Sequence, residues 1–272
     1  MKTRIIVGIV LVVLLIVVLF FGGFLLLSVL ALFSLAAIYE MGQTFRKKSY
    51  DPILIPAYVF AVAYPFVYYY LGMLSMFIVY MVAVMTTMIW SLFTKRHTTN
   101  DIIPSLFILN YPTLFLMCIM LVYFSFSRPI ALVAAGMAYA APEASDTFAY
   151  FGGTFLGKHK LCPTISPKKT VEGAVFALIG GTAFGFGMTY LQHLWGANIQ
   201  PLVLILLGLG CGLLSQFGDL FASLLKRWAG VKDFSSVFPG HGGVIDRIDS
   251  IMFCTPLVLC VFLIMQKLSI LS

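Results

Sequence analysis

Charge is what this sequence has least of. Only 10 % of its 272 residues are Asp, Glu, Lys or Arg, and 61 % are hydrophobic. A water-soluble domain averages roughly a quarter charged residues, so a chain solvated on all sides is excluded. Mean hydropathy is +1.03. The regular alternation of a membrane β-barrel is absent, and only helices or closed barrels satisfy their backbone in lipid. Five cysteines (Cys118, Cys162, Cys211, Cys254 and Cys260) contain no Cys-x-x-Cys pair. They are therefore expected to be small core residues, neither metal ligands nor a disulfide framework. There is no internal repeat and no segment of soluble-domain composition.

What the chain does have is apolar length. Ile5–Tyr39 would reach roughly 52 Å as one helix, well beyond a hydrocarbon core of about 30 Å. Gly22-Gly23 is the natural place to turn. The basic start at Lys2 and Arg4 imitates a signal peptide, but no small-x-small cleavage site follows, so a retained anchor is expected. Continuing along the chain predicts spans near residues 5–21, 24–39, 53–71, 73–93, 103–124, 129–151, 172–195, 201–222 and 249–268. The fold class is thus an all-α integral membrane protein, a polytopic bundle of about nine transmembrane helices. The expected division is an N-terminal membrane region over 1–128 and a C-terminal catalytic region over 129–272, with loops at 152–171 and 223–248.

With these spans, every basic residue except Arg128 and Lys267, out of 17, falls on one side. The positive-inside rule makes that side cytoplasmic. The N-terminus and both large loops are then expected inside the cell membrane and the C-terminus outside. The net charge of +7 needs no nucleic acid, since juxtamembrane Lys and Arg attract anionic lipid.

The scarce charges gather in three places. Glu143 and Asp146 lie within an otherwise apolar span, where an ionisable group is costly and a functional candidate; a helix cap near the interface is the plainer reading. Gly157-Lys-His-Lys160 and Ser166-Pro-Lys168-Lys169-Thr-Val-Glu172-Gly173 form a cationic loop entering a helix. That suits a polyphosphate, although an ordinary positive-inside loop would look the same.

The third place runs from Asp219 to Asp249. Asp219, Ser223 and Lys226 fall on one helical face. Arg227, Lys232, Asp233 and Pro239-Gly240-His241-Gly242-Gly243 follow, and Asp246, Arg247 and Asp249 open the last span. Glycines let backbone amides approach a ligand closely, and Asp oxygens suit Mg2+. A lone His among carboxylates argues against zinc. A merely solvated, salt-bridged loop would not need acids at the mouths of two spans.

This last stretch is similar to the signature of the phosphatidate cytidylyltransferases, the CDP-diacylglycerol synthases. Ser223, Lys226-Arg227, Lys232-Asp233, Pro239-Gly-His-Gly-Gly243, Asp246-Arg247 and Asp249 carry the resemblance, which upstream motifs extend back to Asp146. Val171 departs from it, standing where many members carry Trp. The resemblance implies transfer of cytidylate from CTP to phosphatidic acid, with release of pyrophosphate and dependence on Mg2+. Asp219 and Asp246 are the first candidates for metal ligands. Asp249 and Asp146 are candidates for supporting groups or for a second cation. Lys226, Arg227 and Arg247 would hold phosphates, with Ser223, Lys232, Gly242, Gly243, Lys168 and Lys169 lining the substrates. His241 is either a general acid or a hydrogen-bonding loop residue. A CTP-dependent lipid-alcohol kinase and, from another class, a cation-coupled transporter remain as alternatives. A homodimer is expected from small-residue faces at Gly180-Gly181, Gly185 and Gly187.

Overall fold

The structure is a computed structural model that describes residues 2–93 and 99–270, with side chains from Val7 onward. Helices dominate: α1 (Lys2–Phe21), α2 (Gly23–Arg46), α3 (Ile55–Phe93), α4 (Thr99–Ile108), α5 (Phe115–Phe124), α6 (Arg128–Leu156), α7 (Val171–Leu191), α8 (Pro201–Ala229) and α9 (Ile245–Lys267). A π-helical stretch, Leu109–Leu114, joins α4 to α5. The chain is a multi-pass membrane protein. Six of its helical segments, among the described residues, are long and apolar enough to cross a bilayer: those over 23–46, 55–93, 99–124, 171–195, 201–229 and 245–267.

Three features separate these six from the expected nine. The runs near 53–71 and 73–93 both fall within α3, in which two helices meet across a kink at Gly72, whose backbone (φ 81°, ψ −177°) is not helical. Of α1, 20 residues long, only Val7–Phe21 has described side chains, a stretch shorter than a full span. The helix α6 spends part of its length on Glu143, Ser145, Asp146 and Thr147, which lowers its apolarity. The all-α expectation also needs an addition. Residues 160–170 form a two-stranded antiparallel hairpin, β1 (Lys160–Cys162) with β2 (Ser166–Thr170).

The chain divides into two compact units that are not contiguous in sequence. The first is Met1–Met120 with Lys226–Arg247, and the second is Leu121–Leu225 with Ile248–Ser272. In the first, Leu27, Ile38, Met41, Phe60, Tyr64, Met76 and Ile108 form a fully buried core. Ser34 and Tyr64 share a hydrogen bond of 3.1 Å between α2 and α3. The Asp101 carboxylate accepts the Asp51 amide at 2.7 Å, and the Ser105 hydroxyl accepts that of Ile53 at 2.7 Å, so α4 holds the turn before α3. Trp228 stacks edge-on to Phe45 at 5.3 Å, which fastens the 226–247 segment to this unit.

In the second unit, α7 packs against α6 and α8 through residues with almost no side chain. A Cβ on Gly180 would meet Phe148 at 2.7 Å. One on Gly181 would strike the Gly208 carbonyl and, at 2.9 Å, Gly212. One on Gly185 would strike the Leu204 carbonyl. The small-residue face expected to serve a homodimer is thus used within the chain, and only Gly187 has nothing within 4 Å. Between membrane helices, close backbone approach of this kind is the main source of association. All five cysteines are free thiols.

Candidate active site

The glycine-rich loop is built around two buried carboxylates of the first unit. The helix α8 continues past residue 222 to Ala229, so Ser223, Lys226 and Arg227 stand on its last turns. After Gly230 the chain turns back, with Phe238 and Gly242 bridged, and enters α9 at Ile245. The first amides of a helix have no intrahelical partner, and here acids supply it. Asp246, with its side chain 4 % exposed, accepts the Lys226 ammonium on Oδ1 at 2.6 Å. Its Oδ2 accepts the amides of Phe234 and Gly243, each at 2.9 Å. Glu40, at 1 % exposure, accepts the amides of Val244 at 2.8 Å and Ile245 at 3.0 Å, and the Ser235 hydroxyl at 2.6 Å. Both glycines are needed for this closeness. Gly242 has φ 84° and a Cβ there would meet Asp246 Oδ2 at 2.7 Å, while one on Gly243 would fall on the Glu40 carboxylate. Each buried charge is thereby compensated by donors.

The other residues of this segment are placed less centrally. Arg227, Lys232 and Arg247 are exposed, and Arg227 reaches the Val231 carbonyl at 3.4 Å. His241 has its Nδ1 buried without a hydrogen-bond partner among the described residues. Its Nε2 would lie 3.6 Å from a Cβ on Gly8 of α1.

The second unit holds a constellation of its own residues. Asp219 on α8 lies 2.6 Å from the Lys169 ammonium, an ionic contact without the alignment of a directed hydrogen bond. Its Oδ1 accepts the Ser223 hydroxyl at 3.3 Å, as the i, i+4 spacing predicts. Asp146 on α6 accepts the Ser250 hydroxyl at 3.3 Å and lies within electrostatic reach of Lys169, Asp219 and Glu143. Asp249 is buried and its Oδ1 accepts the Ser250 amide at 2.8 Å. Lys169 owes its place to the hairpin. Thr170 caps α7 by accepting the Gly173 amide at 3.1 Å, and Glu172 bonds both the His159 amide at 3.2 Å and the His159 ring at 2.7 Å. Lys168, one residue earlier on the strand, points outward and is exposed.

The donor chemistry suits a hard cation. No group of three or more His, Cys, Asp or Glu side chains is gathered as a metal cage among the described residues. Mg2+ does not require one, since one or two carboxylates with water and substrate phosphates complete its shell. In the second unit, Asp219 and Asp146 are near enough to interact, with an ammonium against the first; positive charge is stabilised there. At Asp246 all three donors already occupy the carboxylate, so a cation would have to displace Lys226 from Oδ1.

Sequence reasoning singled out Asp219, Asp246, Lys226 and Lys169, and each engages an oppositely charged partner. Glu40 is not among those candidates. Nothing local marked its partners, which lie about two hundred residues away. Ser235 and Ser250 were missed for the same reason.

These features define a polytopic helical membrane protein with acid–lysine clusters at helix ends and an amide-rich glycine loop. The family model described as Cytidylyltransferase family matches residues 2–265, and the chain belongs to that family. Similar curated proteins share one name. The phosphatidate cytidylyltransferase of Aquifex aeolicus is 33 % identical over 214 residues, covering 78 % of this chain and 71 % of that protein. That of Synechocystis sp. is 44 % identical over 131 residues, covering 48 % and 43 %. That of Staphylococcus haemolyticus is 39 % identical over 136 residues, covering 50 % and 51 %. The matched part is therefore about half or less of each of the latter two proteins.

Proposed function

We infer that this protein is a phosphatidate cytidylyltransferase, converting CTP and phosphatidic acid to CDP-diacylglycerol and pyrophosphate. The observation that carries the inference is the family match over residues 2–265, together with relatives bearing that name. In the proposed step a phosphatidate oxygen attacks the α-phosphorus of CTP. The new P–O bond forms as the bond to the β-phosphate oxygen breaks, and pyrophosphate takes the electron pair. Both reactants are anionic, so positioning and charge neutralisation dominate. Phosphatidate presents an oxygen that is already ionised, and no general base is required. His241 accordingly serves as a loop residue, its amide donating to the Phe238 carbonyl at 2.8 Å.

Lys226 has one of its three N–H donors on Asp246 and two left for phosphate oxygens. Arg227, Lys232 and Arg247, all exposed, are positioned for anionic groups, as is Lys168. Ser223 and the amides near Gly242 and Gly243 complete the substrate contacts. Bound Mg2+ would neutralise triphosphate charge and polarise the reacting phosphorus. Asp219 and Asp246 are its proposed ligands, with Asp146 and Asp249 as supporting acids or ligands of a second cation. We further propose nine membrane crossings, counting α1, both halves of α3 and α6. The N-terminus and both loops then lie on the cytoplasmic face of the cell membrane, and the C-terminus outside. This arrangement lets the lipid react without leaving its leaflet, where extraction would cost about 0.8 kcal/mol per methylene.

The test is incubation of purified protein with α-labelled CTP, phosphatidic acid and Mg2+. Label on lipid, dependent on phosphatidic acid, is expected. A lipid-alcohol kinase would leave the lipid unlabelled, and a transporter would consume no CTP; either outcome overturns the reading.

A further inference from the structure

We propose that Glu40 is a positioning residue, whose buried carboxylate holds the Gly242-Gly243 turn and the first turn of α9 in the conformation used for cytidylyl transfer. This rests on the activity inferred above. The segment from Phe234 to Ile245 turns four amides and one hydroxyl towards two carboxylates. Asp246 takes the amides of Phe234 and Gly243. Glu40 takes those of Val244 and Ile245 and the Ser235 hydroxyl. The loop therefore lies between an acid of its own helix and one from α2, and neither acid alone satisfies it.

Glu40 is also 1 % exposed. A buried carboxylate is tolerated only when its charge is compensated, and here the compensation is three donors plus the positive end of α9. The relation is reciprocal. Removing Glu40 leaves two buried amides unsatisfied at the point where the chain enters the helix bearing Asp246, Arg247 and Asp249. Gly243 shows how closely the two are fitted, since any Cβ there would fall on the carboxylate.

Glu40→Gln is the informative variant because its size is unchanged. The two carboxylate oxygens accept from Val244 and Ile245 separately. A carboxamide has one oxygen, so its NH2 must face one of those N–H groups, donor against donor. Leaving one buried donor unsatisfied corresponds to about a tenfold or greater shift in a local equilibrium. Amide hydrogen exchange over residues 233–246 should therefore accelerate about tenfold in Glu40→Gln, with turnover of CTP and phosphatidic acid falling by a similar or larger factor. Ser235→Ala removes a hydroxyl that donates to Glu40 and accepts the Val237 amide but leaves the buried amides of Val244 and Ile245 satisfied, and should give a smaller change in the same peptide. Tyr64→Phe, which loses a hydrogen bond to Ser34 elsewhere on α2, should leave exchange at 233–246 as in the wild type.

Unchanged exchange in both Glu40→Gln and Ser235→Ala would overturn the proposal whatever the activity. Faster exchange with wild-type turnover would equally overturn it, by showing that the held conformation is not the one used. Wild-type protein that makes no labelled lipid would instead count against the activity, and the exchange result would still report on Glu40.

Discussion

Gly218→Ala should impair this protein twice, in stability and in turnover, through a single methyl group. Gly218 precedes Asp219 on α8 and faces α9. A Cβ at this position would fall on the Asp249 carbonyl oxygen and lie 3.0 Å from the Ser250 Cα. All of these are backbone atoms, so no rotamer change relieves the contact. Carbon atoms rest at about 3.5–4.0 Å; α8 and α9 must then separate by roughly half an ångström or more. Overpacking of this sort costs about 1–3 kcal/mol, a drop in detergent melting temperature of several degrees at roughly 2–4 °C per kcal/mol. The displaced backbone carries Asp219, Asp249 and Ser250, whose hydroxyl meets Asp146. Misplacement by about 1 Å can cost on the order of a hundredfold in rate, so label transfer from α-labelled CTP should fall between about tenfold and a hundredfold. The control is Gly187→Ala, where nothing lies within 4 Å. Ala is favoured over Gly in a helix by up to about 1 kcal/mol, so this variant should melt at the same temperature or higher with normal turnover. Wild-type melting and wild-type turnover in Gly218→Ala would refute the close contact and the role drawn from it.

Asp219→Asn and Asp246→Asn, assayed separately across a Mg2+ series, should each lower activity at least about a hundredfold, equivalent to roughly 2.7 kcal/mol of transition-state stabilisation. Insertion should be retained, because a neutral amide is less costly than a charge near the membrane; a well-folded Asn variant with normal turnover and Mg2+ dependence would remove that residue from the site. Lys168→Ala and Lys169→Ala should raise KM for CTP or phosphatidic acid more than they lower kcat, and an unchanged KM for both substrates would return the hairpin to an ordinary basic loop. In a cysteine-free background, a membrane-impermeant thiol reagent should label Ser49→Cys only from the cytoplasmic side and Ser269→Cys only from outside. Labelling of both from one side would contradict nine crossings.

Much of this protein follows from local chemistry that a sequence displays directly. Apolar runs too long for one bilayer require a helical membrane protein, because lipid offers the backbone no other partner. The i, i+4 spacing of Asp219 and Ser223 foretold their contact, and the density of acids and glycines between 219 and 249 marked the loop that Asp246 organises. What only the tertiary structure decided was partnership across sequence distance. Glu40 and Ile245 are far apart along the chain and join because a helix N-terminus must find acceptors somewhere. Lys168 and Lys169 are indistinguishable as sequence, yet the pleat of β2 turns one outward and sets the other against Asp219. The glycines of α7 read equally well as a surface for a second copy or as a seam within the chain. Only the packing of α7 on α6 and α8 shows the seam, because small residues state that backbones approach closely and leave unstated which backbone approaches.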